Sequence, residues 1–193
     1  MTSNATDLPH VILVPGYWLG AWAWDDVVPA LKEQGLDVEA ITPSGLDEQD
    51  PNRKNTTLQD QVDALQALVE QAGGDVVLVG HSGANAAVST VTDRTPQLLR
   101  RVIWVDSGPM PDGGAFAPEL PQDIEELPLP DFDTLGQQAS LEGLSDGQLK
   151  TFRARAVPEP AGVARATVSL TNDRRHSVPT CLLYTSPSPR DRG

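Results

Sequence analysis

The sequence predicts an α/β fold, an open and mostly parallel sheet with helices on both faces. Three observations predict it. Short apolar runs rich in β-branched residues alternate with segments of helical periodicity as far as residue 106. Those runs are apolar at nearly every position, as expected of strands covered by helices on both sides. The third run ends in a Gly-x-Ser-x-Ala turn that leads straight into a helix.

His10 to Val14 (HVILV) is the first strand, and Pro15-Gly16 ends it. The pattern predicts a helix over Trp22 to Gln34, closed by Gly35, because glycine accepts the left-handed turn that stops helices. Asp37 to Thr42 is the second strand, and Pro43-Ser44-Gly45 is its turn. Residues 47–56 are polar and read as a surface loop. Thr57 and Asp60 have the spacing of a capping box. Leu58, Val62, Leu65, Leu68 and Val69 then recur at helical spacing until Gly73-Gly74. Asp75 to Val79 is the third strand, Ala84 to Asp93 a helix, and Arg101 to Val105 the fourth strand.

From Ser107 to Asp173 the alternation dissolves. Pro109, Pro111, Pro118, Pro121, Pro128 and Pro130 interrupt it, and helices are expected only at Asp146 to Arg155 and Pro160 to Val168. This segment is too rich in proline and too weakly apolar to hold its own core, so it reads as an inserted helical cap. The expected organisation is a core over 1–106, a cap over 107–173, and the start of a returning core strand over 174–180. Ser177 to Leu183 has strand character, yet it runs into Pro187 and Pro189 without a turn. The eleven residues from Cys181 to Asp191 (CLLYTSPSPRD) resemble the in-frame translation of a widely used transposase sequencing adapter. On that resemblance residues 181–193 are expected to be a non-native tail.

The composition bounds the function. The 193 residues include 14 basic and 27 acidic side chains, a net charge of −13. A surface this acidic repels nucleic acid and anionic membranes, so neither is expected as a partner. The charge serves solubility. No apolar run is long enough to span a bilayer, and the polar start MTSNATDLPH is unlike a signal peptide. The single cysteine, Cys181, allows no internal disulfide, which agrees with a cytoplasmic setting. There is no HExxH, no cysteine pair, and no GxGxxG after a strand, so neither a metal nor a dinucleotide cofactor is expected.

The chemistry concentrates in Val76-Val77-Leu78-Val79-Gly80-His81-Ser82-Gly83-Ala84. A serine hydroxyl is a weak nucleophile until a base takes its proton. A sharp bend after a strand lifts the side chain clear of the sheet, where a base can reach it. Tightness demands tiny residues two before and two after the serine, and Gly80 and Ala84 meet that demand. The Gly83 N–H, at the helix start, then points toward a developing oxyanion, which the helix dipole also favours. The alternative is that Gly80 and Ser82 merely make a tight turn and cap.

The segment His10 to Trp24 (HVILVPGYWLGAWAW), with its strand, glycine loop and G-x-W-x-W, resembles the α/β-hydrolases of the plant methylesterase and hydroxynitrile-lyase branch. The resemblance covers Val11 to Pro109. Pro15 stands where those proteins carry the histidine of an HG pair. The resemblance implies an α/β-hydrolase fold and makes Tyr17, after the glycine, the second oxyanion donor. Trp18 is the candidate to line an acyl pocket, with plain packing as its alternative, and Trp22 and Trp24 read as packing residues.

The resemblance also implies a triad in the order serine, acid, histidine. Asp106 ends the fourth strand on the edge where reactive groups gather and where some members of the family carry the acid, so it is the candidate; most members place the acid after the next strand, which here would be lost, and fixing the loop Ser107-Gly108-Pro109 is the competing role of Asp106. The histidine is harder to find. His10 opens a strand at the far edge, His81 adjoins the serine and cannot fold back on it, and His176 precedes a strand. In the family the histidine follows the last strand, so the C-terminal part of the fold is expected to be missing and this chain to be inactive. The expected function of the complete form is hydrolysis of a carboxylic ester through an acyl-enzyme, on a small-molecule substrate. The alternatives are a hydroxynitrile-lyase type of reaction and a non-catalytic small-molecule receptor.

Overall fold

The computed structural model describes residues 8–138 and 141–184. Five strands form one sheet: β1 (His10–Val14), β2 (Asp37–Ala40), β3 (Val76–His81), β4 (Leu99–Val105) and β7 (Thr180–Leu183), in the order β2-β1-β3-β4-β7. Every neighbouring pair is parallel. Parallel neighbours need a crossover between them, and the helices α1 (Val27–Glu33), α2 (Leu58–Gln71) and α3 (Asn85–Arg94) lie in the crossovers.

Alternation along the strands divides the core into two layers. Ile12, Val14, Val76, Leu78, Val102 and Trp104 face α2 and α3. Val11, Leu13, Val38, Val77 and Val79 face the other way, against Val28 and Leu31 of α1 and against Trp24. Both faces are therefore covered by helices, which explains why the strands read as continuous apolar runs.

The capping box that begins α2 is formed: the Thr57 side chain accepts from the Asp60 N–H, and the Asp60 carboxylate accepts from the Thr57 N–H at 2.8 Å. Leu58, Val62, Leu65 and Val69 make its buried stripe, and Gly73 and Gly74 leave the helix with positive φ. The expected helix over Trp22 to Gln34 is instead a short 3-10 turn, Ala21–Trp24, followed by α1. Pro29 is the reason. It has no N–H to bond back four residues, so a helix can hold it only in the first turn. The second strand stops at Ala40, whereas β3 and β4 are longer than expected.

Residues 107–173 carry β5 (Glu126–Leu127), α4 (Phe132–Gln138), α5 (Asp146–Arg155), β6 (Glu159–Pro160) and α6 (Ala161–Arg165). The helix expected at Asp146 to Arg155 is α5. The one expected over Pro160 to Val168 is shorter, because Glu159 and Pro160 pair antiparallel with β5 before α6 begins. The segment has no separate centre. Val163, Ala164, Val168 and Leu170 belong to the same buried cluster as α2 and α3. It closes on itself through a two-way exchange, Gly113 N–H to Val168 O at 3.0 Å and Val168 N–H to Gly114 O at 2.9 Å. It returns to the core at Asp93, whose buried carboxylate accepts from the Asn172 N–H at 2.9 Å and from Arg175 at 3.2 Å.

β7 pairs Thr180 to Leu183 with Val102 to Val105. Cys181, Leu182 and Leu183, the head of the segment resembling adapter sequence, thus continue the strand; apolar residues take up an open register whatever their origin. Leu182 and Leu183 are half exposed. Residues 185–193, the rest of that tail, lie outside the described residues. No helix among the described residues is long and apolar enough to cross a membrane.

Thr57→Ala removes the side-chain acceptor of the capping box and is expected to cost about 1 kcal/mol in urea unfolding, with most of the loss restored in Thr57→Ser. An unchanged midpoint for Thr57→Ala would show that α2 is held by its buried stripe alone.

Candidate active site

The register of the sheet sets the site. Val14 of β1 pairs with Gly80 of β3, and His81 pairs with Val105 of β4. The segments following these strands leave the same carboxyl edge side by side. This brings Gly16 and Tyr17, then Ser82 and Gly83, then Asp106, onto one rim. In parallel sheets that rim is where ligands are met.

Ser82 is exposed and has a φ of 47°, a left-handed conformation that costs a non-glycine residue on the order of 1–2 kcal/mol. It opens a 3-10 turn, Ser82–Ala84, that runs into α3. Two glycines make the approach of the first loop possible. A Cβ on Gly16 would lie 2.9 Å from the Ser82 Cβ, and a Cβ on Gly83 would lie 2.6 Å from the Tyr17 ring. Gly80 is tight as well, with Val88 Cγ2 3.0 Å from where its Cβ would stand. Of the two small residues that the motif required, Gly80 is thus closed in by Val88, and Ala84 is buried.

His81 fastens the loop to the bend. Its Nδ1 accepts a hydrogen bond from the Gly16 N–H at 3.3 Å, which makes the ring neutral with its proton on Nε2. Burial lowers its pKa, and the nearby Asp106 carboxylate partly opposes that. The Trp24 ring meets it edge-on at 6.2 Å. His81 is therefore a structural tie, in line with the reading of it as unable to serve Ser82.

Asp106 is exposed, with a φ of 48°. Its N–H donates to Leu183 O at 2.8 Å, and its charge reaches His81. It stands one strand away from Ser82 on the same rim. The next residue, Ser107, donates its hydroxyl toward Gly80 O at 3.5 Å. Three of the four non-glycine residues with positive φ among the described residues are Trp18, Ser82 and Asp106, so backbone strain gathers on this rim.

Tyr17 is buried, its hydroxyl has no hydrogen-bond partner, and burial with the field of Glu159 raises its pKa. The ring stacks edge-on with Phe116 at 4.7 Å. Trp18 is half-buried and bound to the segment 107–173. Its indole N–H donates to Leu127 O at 2.8 Å and its carbonyl accepts from the Val157 N–H at 3.0 Å. Trp22 packs as expected, near Phe152 at 6.3 Å and under the Arg155 guanidinium at 4.9 Å.

The three histidines do not converge on Ser82. His10 pairs with Val76 at the opposite end of the sheet and bonds Asp37 at 2.7 Å and Glu39 at 3.0 Å. His176 lies in the 3-10 turn Asp173–Ser177 that precedes β7. No cluster of metal-ligating side chains occurs among the described residues.

Sequence reasoning missed Glu159. It is fully buried in β6, accepts from Gln61 Nε2 at 3.2 Å, and lines a cavity shared with Gly16 and Tyr17. Its signal was visible, as a lone carboxylate between Pro158 and Pro160 in an otherwise apolar stretch, AVPEPAGVA.

A strained serine at a strand-to-helix bend, met by a glycine loop on the carboxyl edge of a parallel sheet, defines a class of enzymes built on one scaffold. The chain belongs to the α/β hydrolase family, a family of hydrolase enzymes whose description matches residues 11–192. It is 30% identical over 114 residues to a carbendazim-hydrolysing esterase of Nocardioides sp. (strain SG-4G), covering 58% of this chain and 44% of that protein. It is 33% identical over 116 residues to putative methylesterase 14, chloroplastic, of Arabidopsis thaliana, covering 58% of this chain and 33% of that one. The matched part is thus less than half the length of either relative. Among solved structures, an extracellular α/β-hydrolase from a Paenibacillus species, described as sharing structural and functional homology with tobacco salicylic acid binding protein 2, superposes with a TM-score of 0.75 at 22% identity. That superposition covers 91% of this chain and 77% of the other. Polyneuridine aldehyde esterase superposes with a TM-score of 0.73 at 18% identity, covering 92% and 80%. At these identities the superpositions establish the fold.

Gly83→Ala drives a methyl group into the Tyr17 ring and is expected to lower stability by about 1–3 kcal/mol. Thermal unfolding checks this, and Tyr17→Ala in the same chain should recover part of the loss if the clash is its cause.

Proposed function

We propose that the complete protein hydrolyses a carboxylic ester of a small molecule, with Ser82 as nucleophile. The observation that carries this reading is the exposed Ser82 side chain on a left-handed bend, with the Gly16 backbone packed against its Cβ. The relatives named as an esterase and a methylesterase support the same chemistry.

In this reading the Ser82 Oγ attacks the ester carbonyl and its proton passes to a histidine. The carbonyl oxygen becomes an oxyanion, held by the Tyr17 and Gly83 N–H groups. Each such donor contributes on the order of 3 kcal/mol to the transition state, because it is aimed before charge develops. The alcohol leaves with the proton, and water then releases the acid from the acyl-serine. Asp106 is the candidate to orient the histidine, since its carboxylate stands on the same rim and its field is felt at His81. The Trp18 indole is the candidate wall for the acyl group. Its hydrogen bond to Leu127 O fixes it as a rigid surface.

The proton acceptor is none of His10, His81 and His176. The first faces the wrong edge, the second already accepts from Gly16, and the third precedes β7. The proposal therefore predicts that the chain as it stands turns over no ester by way of Ser82.

Turnover of p-nitrophenyl acetate tests this in two proteins. One is the chain itself. The other is a chimera in which the residues after Thr180 are replaced by the C-terminal segment of the Nocardioides esterase. The expected result is no Ser82-dependent rate in the first, and in the second a rate that Ser82→Ala lowers by at least about 10³-fold. A folded chimera that ignores Ser82→Ala would remove the serine from the mechanism. Turnover by the original chain that Ser82→Ala abolishes would mean that the needed base is already present.

A further inference from the structure

The two strands that hold Trp18 are very short. β5 and β6 pair over two positions, Glu126 with Pro160 and Leu127 with Glu159, with one further bond from the Ala161 N–H to Glu125 O at 2.9 Å. Trp18 depends on both sides of this ladder. Its indole N–H donates to Leu127 O of β5 at 2.8 Å, and its carbonyl accepts from the N–H of Val157, two residues before β6, at 3.0 Å. Trp18 also keeps a φ of 68°, a conformation a tryptophan holds only when its surroundings impose it. An isolated two-stranded ladder is marginal at best. Prolines weaken this one further, because Pro128, Pro130, Pro158 and Pro160 bring carbonyls and no N–H groups. The carbonyls of such a stretch need donors from elsewhere.

Arginines supply them. Arg153 donates to Leu129 O at 3.2 Å and to Pro130 O at 2.7 Å. Arg165 donates to Pro121 O at 2.8 Å and to Ile124 O at 2.9 Å. Both arginines lie within the segment 107–173. Arg53 comes from the loop after β2, and it reaches both sides of the ladder. Its Nη1 donates to Pro158 O at 3.2 Å, and its Nη2 forms an ion pair with Glu126 Oε1. That pair is a contact of charges rather than an aligned hydrogen bond. Pro158 follows Val157, and Glu126 precedes Leu127. Arg53 therefore grips the immediate neighbours of the two residues that hold Trp18.

The grip is sheltered and its base is fixed. The Arg53 and Glu126 side chains are 15% and 18% exposed, so solvent screens them little. Lys54, which reaches Glu126 Oε2 at 3.0 Å, is 49% exposed, and a pair of that kind contributes little. The Arg53 N–H donates to Asp50 O at 3.2 Å, and its carbonyl accepts from the Thr56 N–H at 3.1 Å. Gly45, with a φ of 87°, lets the same loop lie against β6; a Cβ there would stand 2.6 Å from Pro160 Cγ. A planar guanidinium fork suits two acceptors at once, which a compact ammonium does not.

We propose that Arg53 is a positioning residue, a clamp across β5 and β6 that fixes the Leu127 carbonyl and the Val157 N–H and, through them, Trp18. This rests on the reading of Trp18 as the wall of the acyl pocket. In that reading a side chain from a loop outside the rim sets how firmly the wall meets the acyl group.

The test is hydrogen exchange at the tryptophan indole N–H groups, followed by NMR of the ¹⁵N-labelled full chain in wild type, Arg53→Met and Arg53→Lys. Trp18→Phe assigns the Trp18 signal. Arg53→Met keeps an apolar stem and removes both contacts. It is expected to speed exchange of the Trp18 indole N–H by at least about tenfold, with the amides of β3 unchanged. Arg53→Lys keeps the charge beside Glu126 but cannot grip both strands, so it should recover part of the protection at most. Equal Trp18 exchange in wild type and Arg53→Met overturns the proposal. So does a rise matched at the β3 amides, since Arg53 would then only stabilise the fold, and so does full protection in Arg53→Lys. If Arg53→Met does not fold, Glu126→Ala, which removes the ion pair from the β5 side, is read in the same way. The indole signal reports whether or not ester is turned over, so failure here is distinct from failure of the serine assignment.

Discussion

The close approach of the Gly16 backbone to Ser82 is the constraint around which the rest of the rim is arranged. Neither partner can carry more bulk, because a methyl group on Gly16 would meet the serine itself. The serine in turn holds a left-handed φ that only a rigid frame can impose. That frame is the pairing of β1 with β3, whose register sends both loops off the same edge, and the Val88 side chain that closes in on Gly80. The buried strands stabilise the sheet, and some of that stability is spent on holding strained residues at its rim.

The segment 107–173 contributes differently. Its apolar residues fill the same cluster as α2 and α3, without a separate core among the described residues. Its contacts with the loop after β1 run through backbone groups of Leu127 and Val157. Contacts of this kind carry direction as well as energy, because each requires its donor and acceptor to be aligned. They explain how a loop with two strained or crowded residues in succession, Tyr17 and Trp18, is kept in one conformation. His81 does the equivalent from the opposite side, with a ring that burial keeps neutral so that it can accept.

Electrostatics on the rim divides by depth. Asp106 is exposed and keeps its influence through its field on His81. Glu159 is buried and held toward the neutral form. The shift at Glu159 follows from its burial, which penalises the charged form of a carboxyl.

The sequence by itself determined the layered parallel sheet, its first four strands, the capped α2, and the group Gly16, Tyr17, Ser82, Gly83 and Asp106 at strand ends. The strands, α2 and the bend at Ser82 rest on local chemistry, that is periodicity, capping and the need for small residues at a tight bend, whereas Tyr17 was singled out only through the family resemblance. Only the tertiary structure decided where the first helix begins, since Pro29 excludes a start at Trp22. It also decided that His81 is occupied by the Gly16 N–H, that Trp18 is bound to the segment 107–173, and that a glutamate between two prolines lines a cavity with Gly16 and Tyr17. Glu159 lies 98 positions from its partner Gln61. No periodicity or motif spans that interval, because contacts between distant segments depend on how the layers stack rather than on what adjoins in the chain.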